Sequence, residues 1–206
     1  AHIDPAGNAT TRLADVPLAP RPATDAVVFD LLSAGLLAAG AVDRSFVAAR
    51  TEGYESFAAG LRALDTDRAR AVADVDIDTL DRTVKLLADA DRVAGMVGTG
   101  VEGSPGSASA SASSSLLDLL LLTGSLGRPG TGLFVLRGLV NEQGASDAGC
   151  APDRLPGHQP VTNPEARARV AAEWGFEPPA WPGRTATELL GAFGTEVRAA
   201  LVVGEN

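Results

Sequence analysis

The segment RVAGMVGTG, at residues 92–100, decides the fold because it is a short apolar run that opens into two glycines. Such a run predicts a buried strand at residues 93–97 followed by a tight turn. A tract of Ser, Gly and Ala at residues 103–115 then leads into the leucine-rich residues 116–122, which predict a helix. The tract is typical of a flexible linker, or it forms the first part of that helix with a serine as its cap. Strand, glycine turn and helix are half of a βαβ unit, so the sequence predicts an α/β fold.

The other elements follow from apolar spacing and from residues that begin and end helices. Further helices are predicted at residues 26–39, 43–50, 54–64, 77–90, 163–174 and 185–193. Residues 199–203, close to the end of the chain, predict a further strand that could lie parallel to the first. Residues 123–163 show little periodicity and contain eight glycines, so we expect a mainly irregular loop packed against something large.

Composition excludes several classes of protein. Asp and Glu outnumber Lys and Arg by 26 to 17, and this net charge of −9 argues against a sequence-independent nucleic-acid binder. The longest uncharged apolar run, residues 31–42, is shorter than the roughly 20 residues of a membrane span, so no membrane helix is predicted. We expect a cytoplasmic location. Cys150 is the only cysteine, which excludes a disulfide framework and a four-thiolate metal site within the chain. No metal ligand is assigned, and both ends look cut from a longer protein.

Small and polar residues follow the strand-like segments, at the position where α/β sheets bind ligands. Gly98 and Gly100 let a backbone approach a phosphate, but the third glycine of a dinucleotide fingerprint is missing and a simple tight turn is the alternative. Asp4 follows an apolar segment near the start of the chain, and Glu205 and Asn206 follow the one at its end. These polar residues contact a nucleotide or merely cap the next helix, and composition does not choose between the two.

Arg137 and Gly138, in the glycine-rich region, form a second candidate site. Arginine binds planar carboxylates and phosphates through a two-point fork, and a flanking glycine lets a ligand come close. The alternative is an ordinary surface arginine in a loop.

Two consecutive motifs carry a family resemblance. LTGSLGRPGTG at residues 122–132 is followed by LRGLVNEQGASDAG at residues 136–149. Together they resemble the catalytic subunit of molybdopterin oxidoreductases, in particular the formate dehydrogenase branch, whose pattern is LLTGNIGRPGTG and then RGQNNVQGACDMG. Further matches occur in the same order along the chain: IDP at residues 3–5, RPATD at 21–25, LPGHQPV at 155–161 and GEN at 204–206.

The resemblance implies both a fold and a function. Residues 1–136 would be part of a molybdopterin dinucleotide-binding-like α/β domain, with the Rossmann-like layers of the formate dehydrogenase/DMSO reductase fold. Residues 137–206 would be the long glycine-rich loop and the start of the partner α/β domain. Such proteins oxidise formate to CO2 with molybdenum or tungsten held by molybdopterin guanine dinucleotide. Electrons would pass to a 4Fe-4S cluster, which like the metal ligand lies outside this chain, and on to other electron-transfer subunits.

The motif match also assigns roles to individual residues. Arg137 would be the catalytic residue that orients formate or another small oxyanion. The residues assigned to the cofactor are Asp4, Asp25, Gly98, Gly100, Gly138, Asn141, Gly144, Gly204, Glu205 and Asn206. Because the redox ligands lie elsewhere, we expect the isolated chain to be inactive.

Three departures from the family pattern keep other interpretations open. Ala6 replaces an arginine, Leu139 and Val140 replace a Gln-Asn pair, and the segment after Gly100 lacks the usual glutamine and aromatic residue or histidine. These changes favour a metal-free structural or electron-transfer subunit, similar to the large subunit of NADH–quinone oxidoreductase. An independent nucleotide-binding module is the third interpretation, and the severed-looking ends count against it.

Overall fold

The computed structural model describes residues 1–103 and 112–202. The chain divides into two compact units, Ala1–Leu136 and Arg137–Asn206. The elements of the first unit are β1 (His2–Ile3), a 3-10 turn (Thr11–Leu13), β2 (Pro17–Leu18), α1 (Asp25–Ala38), α2 (Arg44–Arg50), α3 (Tyr54–Arg62), α4 (Thr66–Ala73), α5 (Ile77–Ala88), β3 (Ala94–Gly98), α6 (Thr99–Gly103), α7 (Ala112–Leu122) and β4 (Gly132–Leu136). Those of the second are α8 (Glu142–Asp147), β5 (Arg154–Leu155), β6 (Gln159–Pro160), α9 (Pro164–Trp174) and α10 (Ala186–Ala192).

Helix boundaries follow the capping residues in the sequence. The Asp43 carboxylate accepts the Phe46 amide at 2.9 Å and begins α2 where the sequence predicts it. The Asn163 side chain accepts two amides at the start of α9, and Pro164 occupies the first helical position. Helix α4 is not predicted by the apolar pattern, because its buried residues are only two alanines; the Asp65 carboxylate caps it.

The core of the first unit is built around α1, which packs against α3, α4, α5 and α7. Leucines of α1 and α7 are among its most deeply buried side chains, for example Leu32, Leu36 and Leu120. A helix with neighbours on several sides carries apolar residues around most of its circumference. That explains why residues 26–39 are a nearly continuous apolar run.

Strands β3 and β4 run parallel and are joined through α6 and α7, which makes the predicted βαβ unit. The further parallel strand predicted at residues 199–203 is not present in the residues described there. Residues 198–202 form no strand, and Leu201 is 92% exposed. The position beside β3 belongs to β4, whose residues pair in register from Ala94 with Gly132 to Gly98 with Leu136.

Residues 123–163 are irregular over most of their length, as predicted, although the region also includes short elements. It contains β4, α8 and the antiparallel hairpin of β5 and β6. These elements are only two to six residues long, so glycines and prolines at their ends hide their periodicity. The structure is thus a mixture of helices and small sheets, consistent with the α/β class. In the described ranges, each sheet has two strands, and no helix is long and apolar enough to cross a lipid bilayer.

Candidate functional site

The carboxyl ends of β3 and β4 meet at one edge of their sheet, because Gly98 pairs with Leu136. Helix α6 begins at Thr99, directly after β3. A Cβ atom placed on Gly98 or Gly100 would meet no atom within 4 Å, so the space beside both residues is open. Edges of this kind are where α/β sheets bind ligands. The first unit therefore offers backbone at Gly98 and Gly100 that a ligand could approach closely.

The turn between α7 and β4, at residues 123–131, is held by buried hydroxyl groups. Ser125 is fully buried, and its Oγ accepts the amide of Val93 at 2.9 Å. Thr123 Oγ1 donates to Ser125 Oγ at 3.0 Å, while Thr131 Oγ1 bonds the backbone carbonyls of Ser125 and of Arg128. These contacts tie the residue before β3 to the residue before β4. The first half of the glycine-rich motif thus fixes the sheet.

Arg128 adds a second tie in the same turn. Its Nη1 donates to the Asp91 carbonyl at 2.9 Å, and its Nη2 donates to the Asp91 carboxylate at 3.1 Å. Arg92 reaches back from the other side, with Nη1 donating to the Pro129 carbonyl at 3.3 Å. The hydrogen bond from Arg128 holds the pKa of the Asp91 carboxyl below its usual value. Arg128 is therefore engaged in structure.

Arg137 follows β4 directly and begins the second unit. Its Nη1 lies 3.8 Å from Glu142 Oε1, at the start of α8, and the two side chains are 44% and 38% exposed. Gly138, Leu139 and Val140 between them are exposed as well. A small anion can therefore reach the guanidinium from solvent.

Asn141 and Gly144 are brought together at the start of α8. Asn141 has a left-handed backbone with φ 57° and precedes the first residue of the helix. A Cβ atom on Gly144 would collide with the side-chain amide of Asn141, so that only glycine allows the amide to fold over this position. Two of the residues assigned to the cofactor thus pack against each other.

The other end of α8 is anchored on the hairpin of β5 and β6. The Asp147 carbonyl accepts the Gly157 amide at 2.8 Å, and the Asp147 carboxylate lies 2.5 Å from His158 Nε2. Gly149 has φ 84°, and a Cβ on it would lie 2.7 Å from the Pro156 nitrogen. Sequence reasoning missed this anchor, although both of its halves belong to the motifs that carry the resemblance.

Asp4 and Asp25 belong to other parts of the first unit. Asp4 Oδ1 accepts the amides of Ala6 and Gly7, each at 2.9 Å, and these hydrogen bonds lower the pKa of its carboxyl. It follows β1, which pairs with β2 in a separate sheet from β3. Asp25 is the first residue of α1.

Gly204, Glu205 and Asn206 lie outside the described residues. Cys150 is exposed, and His158 is paired with Asp147. Within residues 1–103 and 112–202, no group of three or more His, Cys, Asp and Glu side chains could hold a metal ion.

Comparisons with known proteins find sequence similarity to oxidoreductases, although no family model matches the chain. It is 33% identical over 193 residues to "Probable oxidoreductase YjgC" of Bacillus subtilis (strain 168). The matched residues cover 93% of this chain and 19% of that protein. It is 32% identical over 206 residues to formate dehydrogenase H of Escherichia coli (strain K12), covering 98% of this chain and 28% of that protein. The assimilatory nitrate reductase catalytic subunit of B. subtilis is 31% identical over 191 residues, covering 91% and 26%.

Among solved structures, acetylene hydratase from Pelobacter acetylenicus gives a TM-score of 0.40 at 21% identity, covering 42% of this chain and 12% of that one. A score this low does not assign a fold. The sequence relatives are formate dehydrogenases and other oxidoreductases, so the predicted resemblance is confirmed. The chain spans less than a third of the length of each relative named above.

Proposed function

We propose that this chain, homologous over nearly its whole length to part of the formate dehydrogenases and related oxidoreductases, is a segment of a molybdopterin-dependent enzyme that oxidises formate to CO2. The observation that carries the proposal is the Arg137 guanidinium, which is reachable from solvent within a motif typical of the formate dehydrogenase branch. The chain's similarity to a nitrate reductase makes nitrate the second small oxyanion to test.

Arg137 would bind and orient the substrate carboxylate. Formate is a planar anion with two oxygen atoms, and a guanidinium donates two parallel N–H groups to such a group while it stays charged at any working pH. Held by both oxygens, formate presents its C–H bond away from Arg137. Oxidation of formate yields CO2, one proton and two electrons, so a fixed C–H direction brings the reacting bond to one place.

The open space beside Gly98 and Gly100 fits the phosphates of a pterin dinucleotide, which the Rossmann-like layers implied by the resemblance would bind. Asn141 offers an amide, held over Gly144, as a further polar contact. Asp4 fits less well, because both of its carboxylate oxygens already accept hydrogen bonds from its own turn. The molybdenum or tungsten centre, when bound, would accept the two electrons for a 4Fe-4S cluster and other subunits outside this chain.

The test is made on the full-length protein purified from its own host. Molybdenum, tungsten and pterin content are measured first, followed by formate-dependent dye reduction and dye-dependent nitrate reduction. Arg137→Lys keeps the charge but loses the fork, and we expect it to lower kcat/KM for formate by about tenfold or more. Arg169→Lys, an exposed arginine of α9, is the matched control and should leave kcat/KM unchanged.

Three outcomes would overturn parts of the proposal. A parent protein without metal and pterin would support the metal-free subunit instead. Nitrate reduction without formate oxidation would make nitrate the substrate in place of formate. An unchanged kcat/KM in Arg137→Lys, at equal metal content, would remove Arg137 from the site.

A further inference from the structure

The ion pair of Arg137 and Glu142 places a carboxylate beside the proposed substrate-binding group. The 3.8 Å between Arg137 Nη1 and Glu142 Oε1 is longer than a hydrogen bond, so this pair of atoms attracts by charge alone. The Glu142 carboxylate therefore lowers the positive potential at the guanidinium without taking that N–H. It is also the same functional group as formate.

We propose that Glu142 sets the affinity of Arg137 for its anionic substrate by competing with that anion for the guanidinium charge. The proposal rests on the proposed function in one respect, namely that Arg137 binds the substrate. With Glu142 ionised, formate or another small oxyanion meets a partly compensated cation and binds more weakly. Glu142 thereby raises KM.

The backbone keeps Glu142 in this position. Glu142 is the first residue of α8, and the Asn141 amide packs over Gly144 at that end of the helix. At the other end, Asp147 bonds Gly157 and His158 in the hairpin. Because both ends of α8 are held, the Glu142 side chain stays within reach of Arg137.

A role in stability alone does not account for the charge. Exposed ion pairs contribute little to folding, whereas an anion bound by Arg137 would experience the Glu142 charge directly. The formate dehydrogenase pattern RGQNNVQGACDMG has valine where this chain has Glu142, so the motif itself does not require a carboxylate. The charge is a feature of this chain.

The test compares Glu142→Gln with the parent in the full-length holoenzyme at equal metal content. We expect KM for formate to fall by about two- to fivefold with kcat unchanged, because exposed ion pairs have interaction energies that correspond to factors of this size. The difference should shrink at high ionic strength, because salt screens exposed charges. Glu165→Gln, an exposed glutamate of α9, is the control and should leave KM unchanged. A higher KM or a lower kcat would make Glu142 a positioning residue and overturn the inference, as would no change.

A second measurement does not depend on turnover. Phenylglyoxal modifies accessible arginines, and mass spectrometry of the Arg137 peptide gives the formate concentration that protects half of it. We expect Glu142→Gln to lower that concentration by the same factor. Equal protection in both proteins would overturn the inference while leaving Arg137 as the substrate-binding residue. No protection in either protein would contradict the proposed role of Arg137 and the inference with it.

Discussion

The turn at residues 123–131 and the segment at residues 137–149 share a glycine-rich composition, and they use it differently. In the turn, Ser125 is fully buried, and Arg128 is bonded to both the carbonyl and the carboxylate of Asp91. In the segment, Arg137 is half exposed and shares a looser ion pair with Glu142. Two arginines nine residues apart in one stretch of sequence therefore differ: Arg128 is bonded to Asp91 within the fold, whereas Arg137 is the residue proposed to bind the substrate.

The segment at residues 137–149 is nevertheless anchored. Its C-terminal end bonds the β5–β6 hairpin through Asp147, while Leu139 and Val140 are strongly exposed. The proposed binding role of Arg137 benefits from this combination, because the anchored end restricts the segment and its exposed part admits a ligand. The comparison of the two regions can be tested by mutation.

The largest effect on stability is expected at the anchor. Gly149→Ala would force a side chain onto a residue with φ 84° and place its Cβ 2.7 Å from the Pro156 nitrogen. Backbone strain and overpacking together should cost roughly 2–5 kcal/mol in local unfolding free energy. Hydrogen exchange of the Cys150 amide, which bonds the Ala145 carbonyl, would report it.

Gly157→Ala is the matched control for that experiment. Gly157 has φ 75°, but a Cβ there would meet no atom within 4 Å. Only the backbone strain remains, so we expect a loss of about 1 kcal/mol. Equal losses in the two variants would show that the close approach of Gly149 to Pro156 does not matter.

Next in size is the buried hydroxyl of the turn. Ser125→Ala leaves the Val93 amide without its acceptor, and a buried amide without a partner costs about 1–3 kcal/mol. Denaturant unfolding measures the loss. Ser45→Ala removes an exposed hydroxyl that bonds the Asp43 carboxylate, and it should change stability by less than about 0.5 kcal/mol. If both variants were equally stable, the turn would not be what fixes β3.

The two arginines give the most direct contrast. Arg128→Lys loses the paired hydrogen bonds to Asp91, so we expect about 0.5–1.5 kcal/mol lower stability and unchanged kcat/KM in the full-length enzyme. Arg137→Lys should change stability by less than about 0.5 kcal/mol while it lowers kcat/KM. If Arg128→Lys lowered kcat/KM and Arg137→Lys lowered stability, the structural role would belong to Arg137 and the binding role to Arg128.

Local rules explain what the sequence could predict. The caps of α2 by Asp43 and of α9 by Asn163 are contacts between residues only two or three positions apart in the sequence. The starts of these helices can therefore be predicted from the sequence. Strand β4 pairs with β3 across about 38 positions, and the pair of Asp147 and His158 joins two separate motifs. No local pattern marks such contacts. Residue chemistry made Arg137 a candidate, the family resemblance assigned its role, and only the structure shows its ion-pair partner.

The smallest expected effect is the pH dependence of stability, and it arises in the helix that precedes the turn at residues 123–131. Helix α7, which leads into that turn, packs on α1, and each helix carries a half-buried aspartate at this level, Asp118 and Asp30. Burial raises the pKa of both carboxyls; a Ser115 hydrogen bond partly offsets this for Asp30, and the nearby Asp118 charge adds to it. A carboxyl whose pKa is higher in the folded state opposes folding once it ionises, and this opposition is fully present above the raised pKa.

Asp30→Asn should therefore stabilise the protein at neutral pH. The gain should disappear as the pH falls below the ordinary carboxyl pKa, where Asp30 is protonated in both states. Asp91→Asn is the control of opposite sign, because Arg128 lowers the pKa of Asp91 and favours its ionised form. It should destabilise the protein at neutral pH, and this loss should also fade in acid. Denaturant unfolding of the parent and the two variants at neutral and acidic pH measures the sign of both stability changes. A loss of stability in Asp30→Asn at neutral pH would contradict the prediction and show that the Asp30 charge supports the contact between α1 and α7.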